Sequence, residues 1–312
     1  MEIIETSAKE YGQLVGSDIP IFSRHQFLEL NKQKVDKVHY LIGKDNKNRV
    51  ALAIGEKNGQ WRAPYSAPFS NIVLLRKETA LEYIWDFVRS LISYVKEQNG
   101  NSINIYLPAD IYGATENSRM LNALLGNGFY VQFQDINYSF DLQSFNMNNY
   151  DSIMHYNARK NLRIAQNASL EFVRCENIEQ KIEAYETIRI NREYRGFPLR
   201  MSRDQVMDTI KVVDHDFFLV RREGVTIASA VVFRVTSRIA QVVYWGNTPE
   251  TGEYKPINFI SYNLIKYYKE LEFEILDIGP STEKGMPNYG LCSFKESLGC
   301  IQSSKYRVQI DL

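Results

Sequence analysis

The chain carries very little with which to build a metal site or a disulfide framework. Three cysteines occur in 312 residues, Cys175, Cys292 and Cys300, and none stands in a CxxC pair; seven residues separate Cys292 from Cys300. That usage fits buried or incidental thiols in a reducing compartment. The four histidines, His25, His39, His155 and His215, are scattered and form no HxxxH or HExxH pattern, so no zinc enzyme and no metal site are expected. Net charge is missing too, because Lys+Arg and Asp+Glu both number 37. A balanced chain has no global pull toward nucleic acid or anionic membrane and leaves only local patches to consider. No apolar run approaches the roughly 18 residues needed to span a bilayer. The opening MEIIETSAKEYG has neither the basic lead nor the continuous apolar stretch of a signal peptide, and the expected location is cytoplasmic.

What is present is ordinary globular composition, 44% hydrophobic and 24% charged, in a chain long enough for one large domain or two ordinary ones. Strand-like and helix-like segments alternate, which favours α/β or α+β layers. KVHYLIG and RVALAIG read as consecutive strands. TALEYIWDFVRSLISYVKEQNG reads as a helix with Leu81, Ile84, Trp85, Val88, Ile92 and Val95 on one face. SINIYLP, the short helix SRMLNALLGNGF and the strand FYVQFQDINYSFDL complete the first half. The polar stretch at 143–149, QSFNMNN, is the best boundary, and the domains are placed at 1–145 and 146–312.

The second half opens with a helix, YDSIMHYNARKNLRIAQ, carrying Arg159, Lys160 and Arg163 together on one side. A strand, two helices, three strands (DFFLVRR, TIASAVVFRV, RIAQVVYWG), a helix starting at Pro256, the strand FEILDIG, a short helix and SKYRVQIDL follow. Both halves close on strand, short helix, Gly and strand, the mark of a duplicated fold.

The loop GPSTEKGMPNYG holds the densest chemistry. It fails as a nucleotide P-loop, because Lys284 is followed by Gly285, Met286 and Pro287 instead of a Ser or Thr opening a helix. Ser281 and Thr282 can donate to an anion, Lys284 can neutralise one, and Glu283 can accept a proton. Asp277 near the end of the preceding strand is either a general base raised by burial or an acceptor that orients the loop. Arg192, Arg195 and Arg200 surround a turn forced by Gly196 and Pro198 and suit a carboxylate or phosphate; an exposed basic turn is the plainer reading. Trp61, Tyr65 and Phe69 in WRAPYSAPFS either line a groove by stacking or cap the core of the first domain. Tyr244 and Trp245 should point to opposite faces of their strand, and Lys295 projects either toward the cleft or into solvent.

The element order of the second half resembles the GNAT acyltransferase fold. WRAPYSAPFS, ARKNLRIAQ, NREYRGFPLRMS, ASAVVF…VVYWGN and GPSTEKG…GL…FKESLG resemble the tandem-GNAT proteins of the FemAB-like, peptidoglycan-bridge aminoacyltransferase superfamily. The resemblance implies two GNAT-like domains, each a mixed, largely antiparallel central sheet flanked by helices. It implies a bacterial transferase moving an acyl or aminoacyl group to an amine, a small molecule or a peptide such as a cell-wall precursor, by direct attack. The donor it implies is acyl-CoA or a charged tRNA, with no permanently bound cofactor. Tyr289 becomes the candidate general acid, with Asp277 and Glu283 as the other catalytic candidates. Trp61, Tyr65, Phe69, Arg192, Arg195, Arg200, Trp245, Ser281, Thr282, Lys284 and Lys295 become the substrate-binding set. One departure is plain: the junction YWGNTPETGEYKPINF lacks the Arg/Gln-x-x-Gly-x-Gly/Ala pyrophosphate loop of coenzyme A-using members. A noncatalytic binding protein on the same fold and a coenzyme A-dependent acetyltransferase of small amines remain the alternatives.

Overall fold

A computed structural model describes residues 1–144 and 146–312. Phe145, and with it the expected 145/146 boundary, lies outside the described residues. The chain forms two compact units. Unit one comprises Met1–Ile136, Lys284–Met286 and Ser303–Leu312; unit two comprises Asn137–Glu283 and Pro287–Gln302.

From the amino terminus the elements are β1 (Glu2–Thr6), α1 (Ala8–Val15), α2 (His25–Leu30), β2 (Lys37–Lys44), β3 (Asn48–Lys57), β4 (Gln60–Ala63), β5 (Val73–Leu74), α3 (Leu81–Glu97), β6 (Ser102–Tyr106), α4 (Ala114–Gly126) and β7 (Tyr130–Asp141). Then come α5 (Tyr150–Ile153), α6 (Tyr156–Gln166), β8 (Leu170–Arg174), α7 (Ile178–Arg195), α8 (Arg203–Thr209), β9 (His215–Arg222), β10 (Val225–Arg234), β11 (Ile239–Asn247), α9 (Pro256–Glu270) and β12 (Ile275–Pro280). The short β13 (Thr282–Glu283) and β14 (Met286–Pro287), α10 (Tyr289–Ser297) and β15 (Ile301–Asp311) finish the chain.

In unit one the strand order is β1-β2-β3-β4-β6-β15 and then the first part of β7, with β5 beside β3. β4 and β6 run parallel, while β1–β2, β2–β3, β3–β4 and β6–β15 are antiparallel. Ile84, Phe87, Val88, Leu91 and Val95 of α3 bury against Leu52, Ile54, Ile103, Ile105 and Val308 of the sheet. The spacing i, i+3, i+4, i+7, i+11 is a helical stripe. It is turned slightly from the expected face, so Leu81 stays exposed. On the other side of the sheet, Tyr11 of α1 and Leu28 of α2 cover Tyr40, Ile42, Ala51 and Ala53. Helix α1 starts at a capping box in which Ser7 and Glu10 satisfy each other's backbone N–H groups.

The closing strand is expected in the second domain. From Ser303 onward it belongs to unit one, pairing with β6 from Arg307↔Tyr106 to Asp311↔Ser102 and burying Val308 in that core. Apolar alternation says that a segment is a strand; it does not say which sheet edge will accept its backbone.

Unit two orders its strands as the latter part of β7, then β12-β11-β10-β9-β8. Here too one pair is parallel, β11–β12, in an otherwise antiparallel sheet. Its core joins Leu162 of α6 and Ile260, Leu264, Ile265 and Tyr268 of α9 to Phe218, Ala230, Val232, Val242 and Leu276. Helix α7 takes the opposite side, where the Ser229 hydroxyl of β10 donates to the Ala184 carbonyl at 2.7 Å. The expected single helix over 150–166 breaks at Met154–His155, because the His155 N–H bonds the Ser297 carbonyl instead of continuing the helix. Each unit is thus a mixed, largely antiparallel sheet flanked by helices.

Candidate functional site

The parallel pair in unit two is short. β11 and β12 match only from Ile239↔Ile275 to Gln241↔Asp277, although β11 continues to Asn247 against β10. Two local devices stop the pairing. On β11, Val231 faces Tyr244 and Val232 faces Val242, so Val243 bulges out of the ladder. On β12, the register with β7 shifts between Asp277 and Pro280, where Gly279 takes φ +72°, a left-handed backbone that glycine adopts without penalty. Beyond Gln241 the strands part. Among the described residues, the β12-facing backbone edge of Val242–Asn247 has no strand partner.

The bulge also decides which side chains face where, since an extra residue re-aims everything after it. Trp245 packs toward the core of unit two, edge-on to Phe294, and Tyr244 is buried on the α7 side. Burial raises the Tyr244 phenol pKa, so it stays protonated, with the backbone of Met201 and Arg200 as hydrogen-bond neighbours. The Arg192 guanidinium lies 5.9 Å from the Tyr244 ring. Burial pushes its pKa down, its Nε has no hydrogen-bond partner, and among the described residues it forms no ion pair. Helix α7 comes this close because Gly246 has no side chain: a Cβ there would sit 2.7 Å from Asn191 Cγ. Asn191 Nδ2 donates to the Asn247 carbonyl at 2.7 Å.

At the end of β12 the polar groups are locked. Asp277 is fully buried and accepts from Asn137 Nδ2 at 2.8 Å, the Gly279 N–H at 2.8 Å and Gln241 Nε2 at 2.7 Å. These bonds tie β12 to β11 and β7 at the point where β11 and β12 part. Lys295 is 2% exposed and donates to the carbonyls of Ile278, Gly279 and Pro280 at 2.8, 2.7 and 3.2 Å. Its ammonium also lies 5.3 Å from the Tyr138 ring centroid. Burial pushes its pKa down to about 8. A cation is therefore held inside the protein beside the split, with its three donors spent on three successive carbonyls. Ser281 follows, buried, its Oγ without a partner, while its carbonyl accepts from the Asn288 N–H at 2.9 Å. Asn288 caps α10 through the Leu291 N–H.

The structure thus gathers Asp277, Ser281 and Lys295 at one strand end, and Arg192 beside Tyr244. It disperses the rest. Tyr289 opens α10 at 78% exposure. Glu283 pairs with Arg200 at 2.7 Å, both 73% exposed, and Arg195 and Lys284 are also exposed. Thr282 is buried on β13. In unit one, Trp61 is core, stacked on His39 at 4.0 Å. Phe69 is buried against Phe22 and Tyr112. The half-buried Tyr65 donates its hydroxyl to the Leu28 carbonyl. WRAPYSAPFS therefore does not present Trp61 and Phe69 to a groove; apolar rings between prolines found the core of their own unit. The sequence puts Trp245, not Tyr244, in the binding set and gives no sign of Asn191; the bulge that seats Tyr244 against α7 leaves no signature in a run such as AQVVYWGN. Arg159, Lys160 and Arg163 line a shallow 650 Å³ depression with Asp151 and Tyr156. Among the described residues no group of three or more His, Cys, Asp or Glu could hold a metal, and no helix is long and apolar enough to cross a membrane.

No protein-family model and no curated protein matches the chain. Solved structures do. The chain aligns with FemX at a TM-score of 0.73 and 15% identity, covering 100% of this chain and 98% of that one. L-PGS from Bacillus licheniformis aligns at 0.58 and 11%, covering 97% and 92%. A tandem GNAT protein from the clavulanic acid biosynthesis pathway aligns at 0.56 and 9%, covering 99% and 98%. At such identities the likeness is one of backbone architecture, and along its whole length the chain shares the fold of FemX and of tandem-GNAT proteins.

Proposed function

We propose that unit two transfers an acyl or aminoacyl group to an amine, and that the parting of β11 and β12 beside the buried Lys295 is the reaction site. The strand split carries this reading. It leaves backbone N–H and C=O groups of Val242–Gly246 along an edge where an amide-bearing donor can lie as an added strand. It also sets a protonated phenol, Tyr244, on that segment, with the guanidinium of Arg192 reaching from α7 to 5.9 Å from its ring. The likeness to FemX and the tandem GNAT protein supports the same class.

In the proposed reaction the acceptor nitrogen bonds to the donor carbonyl carbon, and the carbon–sulfur or carbon–oxygen bond to the carrier breaks. The nitrogen gives up a proton and the leaving thiolate or alkoxide takes one. Tyr244 donates a hydrogen bond to the oxyanion that develops between these events. Arg192 pairs with an anionic group of donor or acceptor. Asp277 and Lys295 act as positioning residues. Asp277 bonds Asn137, Gln241 and Gly279, Lys295 bonds the carbonyls of Ile278, Gly279 and Pro280, and their burial keeps them from substrate. Tyr289, exposed at the start of α10, stays in this scheme as the group that returns a proton to the leaving carrier.

The donor is acyl-CoA or aminoacyl-tRNA, and the acceptor an amine of the cell-wall-precursor type. The test presents the protein with acetyl-CoA, longer acyl-CoAs and aminoacyl-tRNA, each with a panel of peptide and small amines, and reads products by mass. An acceptor gaining one acyl group in place of hydrogen, lost in Tyr244→Phe, supports the reading. Absence of any such product with every donor sinks it.

A further inference from the structure

We propose a second site, in unit one, that binds a phosphate group on the sheet face opposite α3 and α4. Three adjacent strands line up there. Arg62 of β4 is in register with Asn104 of β6, Asn104 with Gln309 of β15, and Tyr106 with Arg307. Neighbouring strands lie about 4.8 Å apart and side chains two residues apart share a face. Arg62, Asn104, Tyr106, Lys305, Arg307 and Gln309 therefore stand on one surface, while Ile103, Ile105 and Val308 point the other way into the core.

The charges on this face descend from solvent into the protein. Arg62 is exposed, Arg307 half-buried and Lys305 buried. Arg307 is held by Nε donating to Asn104 Oδ1 at 2.7 Å. Asn104 is fixed in turn by Nδ2 donating to Gln309 at 3.0 Å. The Lys305 ammonium sits 4.2 Å from the Tyr106 ring, and the Arg307 guanidinium 5.7 Å from the Phe133 ring. Among the described residues neither Arg62 nor Arg307 has a carboxylate within ion-pair distance. Of the nearby acids, Asp135 already accepts the Tyr106 hydroxyl at 2.5 Å and the Gly285 N–H at 3.0 Å. Burial lowers the Arg307 pKa, and the like charge of Arg62 lowers it further. Arg62 and Arg307 thus carry two positive charges that no carboxylate pairs, the second acid of this face, Asp311, being bonded to Gln309 and Tyr130. A phosphate monoester, carrying about −1.5 to −2 at neutral pH, balances them; a single carboxylate does not. The guanidinium nitrogens that Asn104 does not use offer the planar donor pair that phosphate oxygens accept.

This site does not depend on the transfer reaction proposed for unit two, and binding is measured without any acyl donor. The whole chain is titrated calorimetrically with inorganic phosphate and with glycerol 3-phosphate, and by flotation with phosphatidylcholine vesicles with and without phosphatidate. The soluble and vesicle arms distinguish a free phosphate ester from a lipid headgroup. Saturable binding in either arm, weakened about tenfold or more in both Arg62→Gln and Arg307→Gln, as for the loss of a hydrogen bond to a charged group, supports the site. Arg62 is exposed, so its variant tests the site without threatening the fold. No binding in either arm, or binding that both variants retain, overturns it.

Discussion

Replacing Lys295 with methionine removes a buried ammonium while keeping the length and apolar stem of the side chain. In the native protein the ammonium donates to three carbonyls at 2.7–3.2 Å. Each buried acceptor left without a donor costs about 1–3 kcal/mol, so three cost about 3–9 kcal/mol. Against this stands the expense of keeping a charge away from water. The fall of the Lys295 pKa from 10.5 to about 8 corresponds to about 3 kcal/mol, at about 1.36 kcal/mol per pH unit. The difference, about 0–6 kcal/mol and centred near 3, is the expected destabilisation in urea followed by tryptophan fluorescence. Hydrogen exchange should localise it: the Asn288 amide, bonded to the Ser281 carbonyl, loses protection before the strands of the core. The pH dependence gives a second reading. Because the folded pKa lies below the unfolded one, the unfolded chain binds the Lys295 proton more tightly. This residue therefore adds stability as pH rises from about 8 to 10.5, and Lys295→Met lacks that slope. A variant whose Asn288 amide stays as protected as in the parent would refute the account of Lys295 as the clamp on the strand split.

Three further outcomes follow from the same geometry. Gly246→Ala drives a Cβ to within 2.7 Å of Asn191 and should cost about 1–3 kcal/mol in a urea melt by displacing α7; unchanged stability would mean that the helix is not seated by that glycine. Tyr244→Phe keeps the ring packing and removes the proposed oxyanion donor, so kcat should fall about 100-fold with KM and melting temperature nearly unchanged. Asp216, fully buried, accepts from Arg174, Arg234 and the Tyr268 hydroxyl at 2.8–2.9 Å. Burial alone would raise its pKa, but the bonds from Arg234 and Arg174 outweigh that and hold it below the ordinary carboxylate value. Its stabilisation is therefore complete above about pH 4 and lost as pH falls through the lowered pKa. Asp216→Asn should cost about 2 kcal/mol or more, less than a fully buried pair because both arginines reach water, and should flatten the acid limb of stability against pH.

Much of the architecture was legible along the chain. The α3 stripe, Pro256 at the first turn of α9, the three-strand run 215–247 and the matching ends of both halves follow from periods of 3.6 and 2 and from proline's missing donor. Those are local properties, carried by residues a few positions apart. The loop GPSTEKGMPNYG follows the strand end where Asp277, Ser281 and Lys295 meet. Other features needed chain segments distant in sequence to meet. The strand 301–311 was readable as a strand, but only the vacant edge of β6 assigned it to unit one. Trp61 and Phe69 looked equally suited to a groove or a core, and burial by α3 and by Phe22 decided for the core. The bulge at Val243 is a mismatch between two ladders, so it cannot be read from one strand, yet it turns Tyr244 toward α7 and Trp245 away. Lys295 reads from sequence as directed either to the cleft or to solvent; three carbonyls at the end of β12 make it a buried cation. Sequence determined which segments could form strands and helices, because that depends on neighbours along the chain. Tertiary structure alone decided which polar groups lost water and met one another, because desolvation and pairing depend on neighbours in space.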